Sequence, residues 1–515
     1  MARRYQGAPL GVRELAPARP RPHLGLMLRG GCAILMLLLF GCGAPTTRGV
    51  DTETRLAYRA VLTPRADCRL PSAESLTPAQ MQRDWDRIEL VLRRGYAGFE
   101  QAGDEAEWAA ALAEGRRTTE AAIGDDGTLD VESFRNTAVE HLRFANDNHL
   151  ALTLRRRGGN DWRSTSAHQQ AHRVDLTLDV EGRDPDGRQL LACAGQARQD
   201  VLRPVLGVAA EVIWSPILLS EVALETVSCT FESETGPVEV EAAASRVSIR
   251  DRGRPYFAAH GHEEALWLRV RTLVASRSGA LDEFAASAGA ANRAPATVLD
   301  LRSIGGGADR FLNQWFGGYS DRPIQYWNTR RIKSEVALQG ALNFWGCVAA
   351  SSSGDAGGRA WVEARVQRAE RELANAMHTR GIYRELIDGE YTVQARADAA
   401  PRGPLILLVD RGCASACETS VVLARQIPGA LVVGENTEGT MRVGEIRSYR
   451  LPESGIVLTA GTRIHEDPTT GTFPEGRGWL PDLWLTDDVE RATLDLAACL
   501  TEPSCEARVR SAVAR

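Results

Sequence analysis

Two apolar runs, each ending in a turn of small residues, limit what this chain can become. One, Pro404 to Asp410, reads Pro-Leu-Ile-Leu-Leu-Val-Asp and passes into Gly412-Cys413-Ala414-Ser415-Ala416-Cys417-Glu418. The other, Ala296 to Leu301, passes into Arg302-Ser303-Ile304-Gly305-Gly306-Gly307. Runs of strand length with no polar alternation must be covered on both faces, as in a parallel sheet flanked by helices. A further strand at Leu266 to Val270 and a helix around Ser278 to Ala288 supply the strand–helix–strand order of α/β layers. A serine at a strand-to-helix turn is accessible and sits at the positive end of the helix that follows. Glycines after a strand allow backbone N–H groups to approach a developing negative charge. The two turns therefore imply a serine nucleophile and an oxyanion cradle, and the rest of the chain must supply a base.

The choice of base is narrow. Lysine and arginine together number 61, and Lys333 is the single lysine. A formal net charge of −6 provides no basic field, so nucleic acid is not expected as a partner. With 515 residues, 43% hydrophobic and 25% charged, the chain reads as globular and large enough for two or three domains.

Residues 1–42 read as a targeting segment rather than as fold. Arg29 precedes the apolar run Ala33 to Phe40, which ends Leu39-Phe40-Gly41-Cys42. That tail resembles a bacterial lipobox, which implies acylation of Cys42 as the mature N-terminus and a membrane partner through the lipid. The apolar run falls well short of the ~20 residues of a membrane span. A start at Met27 instead of Met1 would give a signal of ordinary length. Gly43, where the sorting rule of Gram-negative bacteria avoids aspartate, points to the outer membrane facing the periplasm. Apart from Cys32 and Cys42, eight cysteines remain, an even number that suits an oxidising compartment. Cys193–Cys229 and Cys499–Cys505 are the expected pairs. Cys413 and Cys417, flanking Ser415, read as packing or a disulfide rather than a metal pair.

Residues 43–71 read as a tether, followed by a helical N-terminal domain at 72–155. Thr77-Pro78 is an N-cap with proline at the first helical position, and Met81, Trp85, Ile88 and Leu92 follow at helical spacing. Further helices are expected at about Asp104 to Glu120 and Asp130 to Phe144. Alternation such as Val238-Glu239-Val240-Glu241 and Val247-Ser248-Ile249-Arg250 marks 165–255 as a β-rich middle segment. An α/β domain then spans 260–490, with an insertion at 310–401 that holds a long helix near Arg359 to Met377. A helical tail closes the chain at 491–515.

The motifs of the α/β domain resemble a known family. Asp300-Leu301-Arg302-Ser303-Ile304-Gly305-Gly306-Gly307 is similar to the Asp-Leu-Arg-Gly-Asn-x-Gly-Gly element of the serine peptidases that include the C-terminal processing proteases and the tricorn core. Ser415-Ala416-Cys417-Glu418 resembles their Ser-Ala-x-Glu element, and Gly434-Glu435-Asn436-Thr437-Glu438-Gly439 their Gly-Glu-x-Thr-x-Gly loop. Leu451-Pro452-Glu453-Ser454-Gly455 and Glu475-Gly476-Arg477-Gly478-Trp479-Leu480-Pro481-Asp482 resemble the closing motifs, in the right order. The resemblance implies a catalytic domain of ClpP/crotonase-like α/β architecture acting on a peptide or unfolded protein without metal or cofactor.

The processing-protease branch carries its lysine base where this chain has Thr440, and Lys333 matches no family position. The tricorn-like branch uses serine, histidine and glutamate, with the histidine in an Asp-x-His setting that Asp147-Asn148-His149 matches. The resemblance thus implies Ser415 as nucleophile, His149 as base and Glu475 as the acid that orients it, with His465 in reserve. Backbone N–H groups of Gly306 and Ala416 would form the oxyanion hole. Glu418 is read as structural. The alternative is a catalytically inactive binding protein on the same scaffold, as in the interphotoreceptor retinoid-binding proteins, and the missing lysine and Ile304 fit that reading. The middle segment stands where processing proteases carry a PDZ domain, but it has no Gly-Leu-Gly-type carboxylate-binding loop.

Overall fold

A computed structural model describes residues 70–514, apart from 157–158, 252–254, 352–353, 379–384, 398, 400 and 402. The targeting segment, Cys42, Met27, Cys68 and nearly all of the tether lie outside the described residues. Among the described residues no helix is long and apolar enough to cross a membrane.

The protein has the mixed α/β fold that its strand–helix alternation predicts. Strands Leu266–Val270, Thr297–Asp300, Leu405–Val409, Leu431–Gly434 and Leu483–Trp484 run parallel, side by side in that order. The Leu405–Val409 strand explains its own unbroken apolarity. Leu405, Leu407 and Val409 enter a core shared with helices Ser278–Ala286, Arg310–Tyr319 and Ala416–Ala424. Ile406 and Leu408 enter a second core on the other face, under helices Val489–Leu500 and Pro503–Val513. Both sides are dry, so both parities are hydrophobic.

The β-rich middle segment is continuous with this sheet. Trp484 bridges Val205 of the Leu202–Leu206 strand, from which antiparallel strands extend through Val212–Ser220, Gln170–Val174 and Gly236–Arg246 to Thr226–Ser233 and Gln189–Cys193. Cys193 and Cys229 face each other across the last two strands and are disulfide-bonded. Cys499 and Cys505 are bonded between the two C-terminal helices. Val247–Arg250, read as a strand, joins no ladder; Ile249 drops into the core and its carbonyl accepts from Arg302.

The N-terminal helices, expected as a domain of their own, share a core with a second sheet. The helix Pro78–Gly95 buries Met81, Trp85, Ile88 and Leu92 as its spacing predicts. It does so against Val443, Tyr449, Leu458 and Ile464 from the hairpin Val443–Arg450/Val457–Glu466. That hairpin's second strand pairs with Ala151–Arg156 along one stretch and with Asn328–Lys333 of the insertion along another. Residue 149, just before the Ala151–Arg156 strand, is thereby held beside residue 443.

Candidate active site

Ser415 follows the carboxyl end of a parallel strand, where α/β sheets leave room for a ligand. Asp410 follows that strand and accepts from Ser303 N at 2.7 Å, Gly412 N at 2.9 Å and Ser303 Oγ at 3.0 Å. Ala414 N donates to Ile304 O at 3.0 Å, so the two small-residue turns are stitched into one unit. Ser415 is held at φ 53° and ψ −119°, a conformation that costs an L-residue of order 1–3 kcal/mol. A disulfide between Cys413 and Cys417 spans it. Glu418, one turn into the following helix, accepts from Thr437 Oγ1 at 2.6 Å, Thr440 N at 2.7 Å, Gly439 N at 2.9 Å and Ser415 N at 3.2 Å. Its burial pushes the carboxyl up to about 7 against those four donors.

Gly306 lies against the serine. A Cβ added there would stand 2.9 Å from Ser415 Cβ, and its φ of +95° also favours glycine. At Gly307 an added Cβ would meet Leu273 O at 2.2 Å. Among the described residues neither the N–H of Gly306 nor that of Ala416 has an acceptor. Two unused donors beside a strained hydroxyl are what a tetrahedral oxyanion requires.

His149 and His465 line the same cavity of about 490 Å³ as Ser415 and the glycines. His149 Nδ1 lies 2.9 Å from the carbonyl of Val443 and His465 Nδ1 lies 3.1 Å from that of Met441. A carbonyl only accepts, so each Nδ1 carries the proton and each Nε2 is the basic nitrogen. Burial lowers the pKa of His149, with Asp147 acting against it. Burial, reinforced by Arg463, takes His465 down to about 3. The Ser415 hydroxyl points to the Met441 sulfur at 3.8 Å and is hydrogen-bonded to neither imidazole.

Glu475 has no hydrogen bond to the imidazole, in place of the orienting bond expected of it. Its Oε1 accepts from Asn148 N at 2.8 Å and its Oε2 from Arg442 N at 3.0 Å. These residues immediately precede His149 and Val443, so the carboxylate ties together the two backbone segments that make the imidazole–carbonyl bond. Burial and the nearby Asp147 push the Glu475 carboxyl well above the usual range. Asp147 accepts from Tyr96 Oη at 2.6 Å and from His149 N at 2.8 Å, which fixes the turn entering His149.

Thr440, at the position of the family lysine, donates its N–H to Glu418 and accepts at Oγ1 from Asn148 at 2.7 Å. Lys333 is exposed at the end of its strand and does not line the Ser415 cavity. Sequence reasoning missed Val443, Met441 and Asp410. Val443 acts through its backbone and left no side-chain signal, whereas Asp410 followed a strand and preceded a glycine, a pattern that marks a turn-capping carboxylate.

Residues 267–484 match peptidase family S41. No curated protein matches the chain. Among solved structures, mature CPAF is similar at 14% identity, with 84% of this chain and 98% of that one covered and a TM-score of 0.44. The photosystem II D1 C-terminal processing protease is similar at 14% identity, over 83% and 98%, with a TM-score of 0.37. The tricorn protease is similar at 12% identity, over 84% of this chain and 36% of that one, with a TM-score of 0.34.

Proposed function

Residues 267–484 belong to peptidase family S41, and from that premise we propose that the chain is a serine endopeptidase acting through Ser415 and His149. The observation that carries the reading is the strained Ser415, set between two unused N–H donors in a cavity it shares with an imidazole of fixed tautomer. Ser415 Oγ attacks the scissile carbonyl while its proton passes to His149 Nε2. The oxyanion is received by the N–H groups of Gly306 and Ala416. His149 then returns the proton to the leaving amine, and water discharges the acyl-enzyme by the same route. Glu475 and Asp147 are positioning residues, since they act on the backbone around His149 and not on the reacting atoms. The substrate is a peptide or an unfolded protein.

Labelling with a serine-reactive fluorophosphonate tests the reading. The parent protein is expected to label, Ser415→Ala not to label, and His149→Ala to label far more slowly. Hydrolysis of an unstructured protein by Ser415→Ala at the parental rate would remove the proposal.

The second reading, a binding protein on this scaffold, draws on the absence of a hydrogen bond between Ser415 Oγ and either imidazole. Catalytic hydrogen bonds are often loose without substrate, so this contact weighs less than the unused donors. Labelling of Ser415 would discard it.

Anchorage by acylated Cys42 at the outer membrane, facing the periplasm, belongs to the same proposal. Disulfides at Cys193–Cys229, Cys413–Cys417 and Cys499–Cys505 support an oxidising compartment. Metabolic labelling with palmitate should mark the protein and be lost in Cys42→Ser.

A further inference from the structure

The insertion walls the Ser415 cavity with an unusual combination of groups. Trp345 comes from helix Glu335–Ser351, Trp361 and Arg365 from helix Ala356–His378, and Arg310 from the start of helix Arg310–Tyr319. The Arg365 guanidinium lies 4.8 Å and the Arg310 guanidinium 5.2 Å from the Trp361 ring centroid, so one indole carries two cations. Among the described residues neither arginine has a carboxylate within ion-pair distance, and Arg310 Nε is buried without an acceptor. Arg310 and Arg447 are close enough for their charges to act on Arg365. Arg447 and Arg463 also line the cavity and share Glu445, at 3.0 and 3.3 Å, with Arg331 at 3.3 Å. The other acid of the lining, Asp309, is engaged by the Tyr326 hydroxyl. Four guanidiniums therefore line a cavity whose two carboxylates are engaged elsewhere, Glu445 by Arg447, Arg463 and Arg331 and Asp309 by Tyr326, while Asp282 and Glu445 act on Arg310 and Arg365 only from beyond ion-pair distance.

Stacking on an aromatic face orients a guanidinium and leaves its edge N–H donors pointing outward. Unneutralised cations in a cleft attract an anion and hold a planar carboxylate best of all. The aromatic wall suits the carbon stem of a side chain more than a bare ion. We propose that Arg310 and Arg365 form a basic subsite, which binds the carboxylate of an aspartate or glutamate side chain in the peptide presented to Ser415. This rests on the peptidase reading above and names the class of peptide that site prefers.

The test separates binding from turnover. Peptides acetylated and amidated at their ends, differing only in Glu, Gln or Lys at one scanned position, are titrated into the Ser415→Ala protein and followed by fluorescence anisotropy. One position is expected at which Glu binds at least about tenfold tighter than Gln, and Lys weaker than both. That preference should weaken with added salt. Arg310→Gln and Arg365→Gln should each reduce the Glu-to-Gln ratio several-fold, while Arg310→Lys keeps part of it and controls for folding. Equal binding of Glu and Gln peptides at every position would overturn the proposal, as would a preference untouched in both variants. Binding that requires a free peptide C-terminus would overturn it too, by assigning the arginines to the terminal carboxylate. Failure of the parent to cleave any peptide is a separate result, because none of these readouts uses hydrolysis.

Discussion

His149 Nδ1 donates to the carbonyl of Val443 at 2.9 Å, and that bond decides which ring nitrogen is left to take a proton. The acceptor is a main-chain oxygen, so the tautomer is set by the pairing of two distant segments and not by a second ionised side chain.

The pH dependence follows from burial. A buried imidazole is neutral at lower pH than a free one, so the base form of His149 is complete at neutral pH. The acid limb of kcat/KM is expected below about 6.5, with a plateau through neutrality. Asp147→Asn removes the charge that raises the His149 pKa and should move the limb further down. A rise confined to pH above about 9 would point to a different base.

Glu475→Gln should separate positioning from proton transfer. Glutamine keeps one acceptor but turns an NH₂ towards a backbone N–H, leaving a buried donor unsatisfied at a cost of about 1–3 kcal/mol. Thermal melting should fall accordingly and kcat should drop. The midpoint of the acid limb should stay in place, because Glu475 is not among the groups that shift His149. A moved midpoint would restore direct contact between the two.

Gly306→Ala places a methyl 2.9 Å from Ser415 Cβ at a φ that alanine resists. Alanine keeps the N–H but the methyl pushes it out of place against Ser415, so kcat should fall towards the loss of about 10²–10³ that one missing oxyanion donor causes, and fluorophosphonate labelling should slow in proportion. Parental labelling in this variant would place the oxyanion elsewhere.

Acidification should destabilise the fold through its histidines. In the folded protein burial lowers the pKa of His149, takes His168 down to about 4 and takes His465 down to about 3. The unfolded chain binds these protons near 6.5, so it takes up more protons than the native state as pH falls from there towards 3. Buried Glu418 and Glu435, each pushed up to about 7, act in the opposite sense, so the histidine effect is read as a difference: the urea midpoint of the parent relative to His465→Asn should decline across that interval. A profile unchanged by that substitution would count against His465 as a contributor.

The disulfides should differ in kind. Chain entropy predicts about 2 kcal/mol for a loop as short as Cys413–Cys417 and about 4 kcal/mol for the longer Cys193–Cys229 loop. Replacing both Cys413 and Cys417 by alanine should nevertheless cost more activity, since their bond spans the strained Ser415 turn. Labelling rates and melting curves for the two double variants would settle the order.

How much of this was legible in the sequence depended on where the information sits. The Leu405–Val409 strand, the Ser415 turn and the glycine loop were readable because local apolarity and small residues dictate them. His149 was reachable through Asp147, which does cap the backbone at residue 149. Glu475 was expected to orient the imidazole, yet its partners are two amides that meet only through long-range pairing. The arginine wall drew no attention because Lys333 is the single lysine among 61 basic residues, and in a chain so rich in arginine no particular arginine stands out. Val247–Arg250 had the right alternation for a strand, but after Val247 N donates to Ala171 O the segment turns Ile249 into the core.

Ser415 hangs from the core of the parallel sheet, whereas His149 adjoins the core of the N-terminal helices and the hairpin. Ser415 and His149 therefore meet where two hydrophobic clusters of one compact unit adjoin. A small shift of one cluster against the other would part them. Warming should silence the chemistry before it melts the chain, and anything that clamps the joint, a bound peptide first of all, should delay that silence.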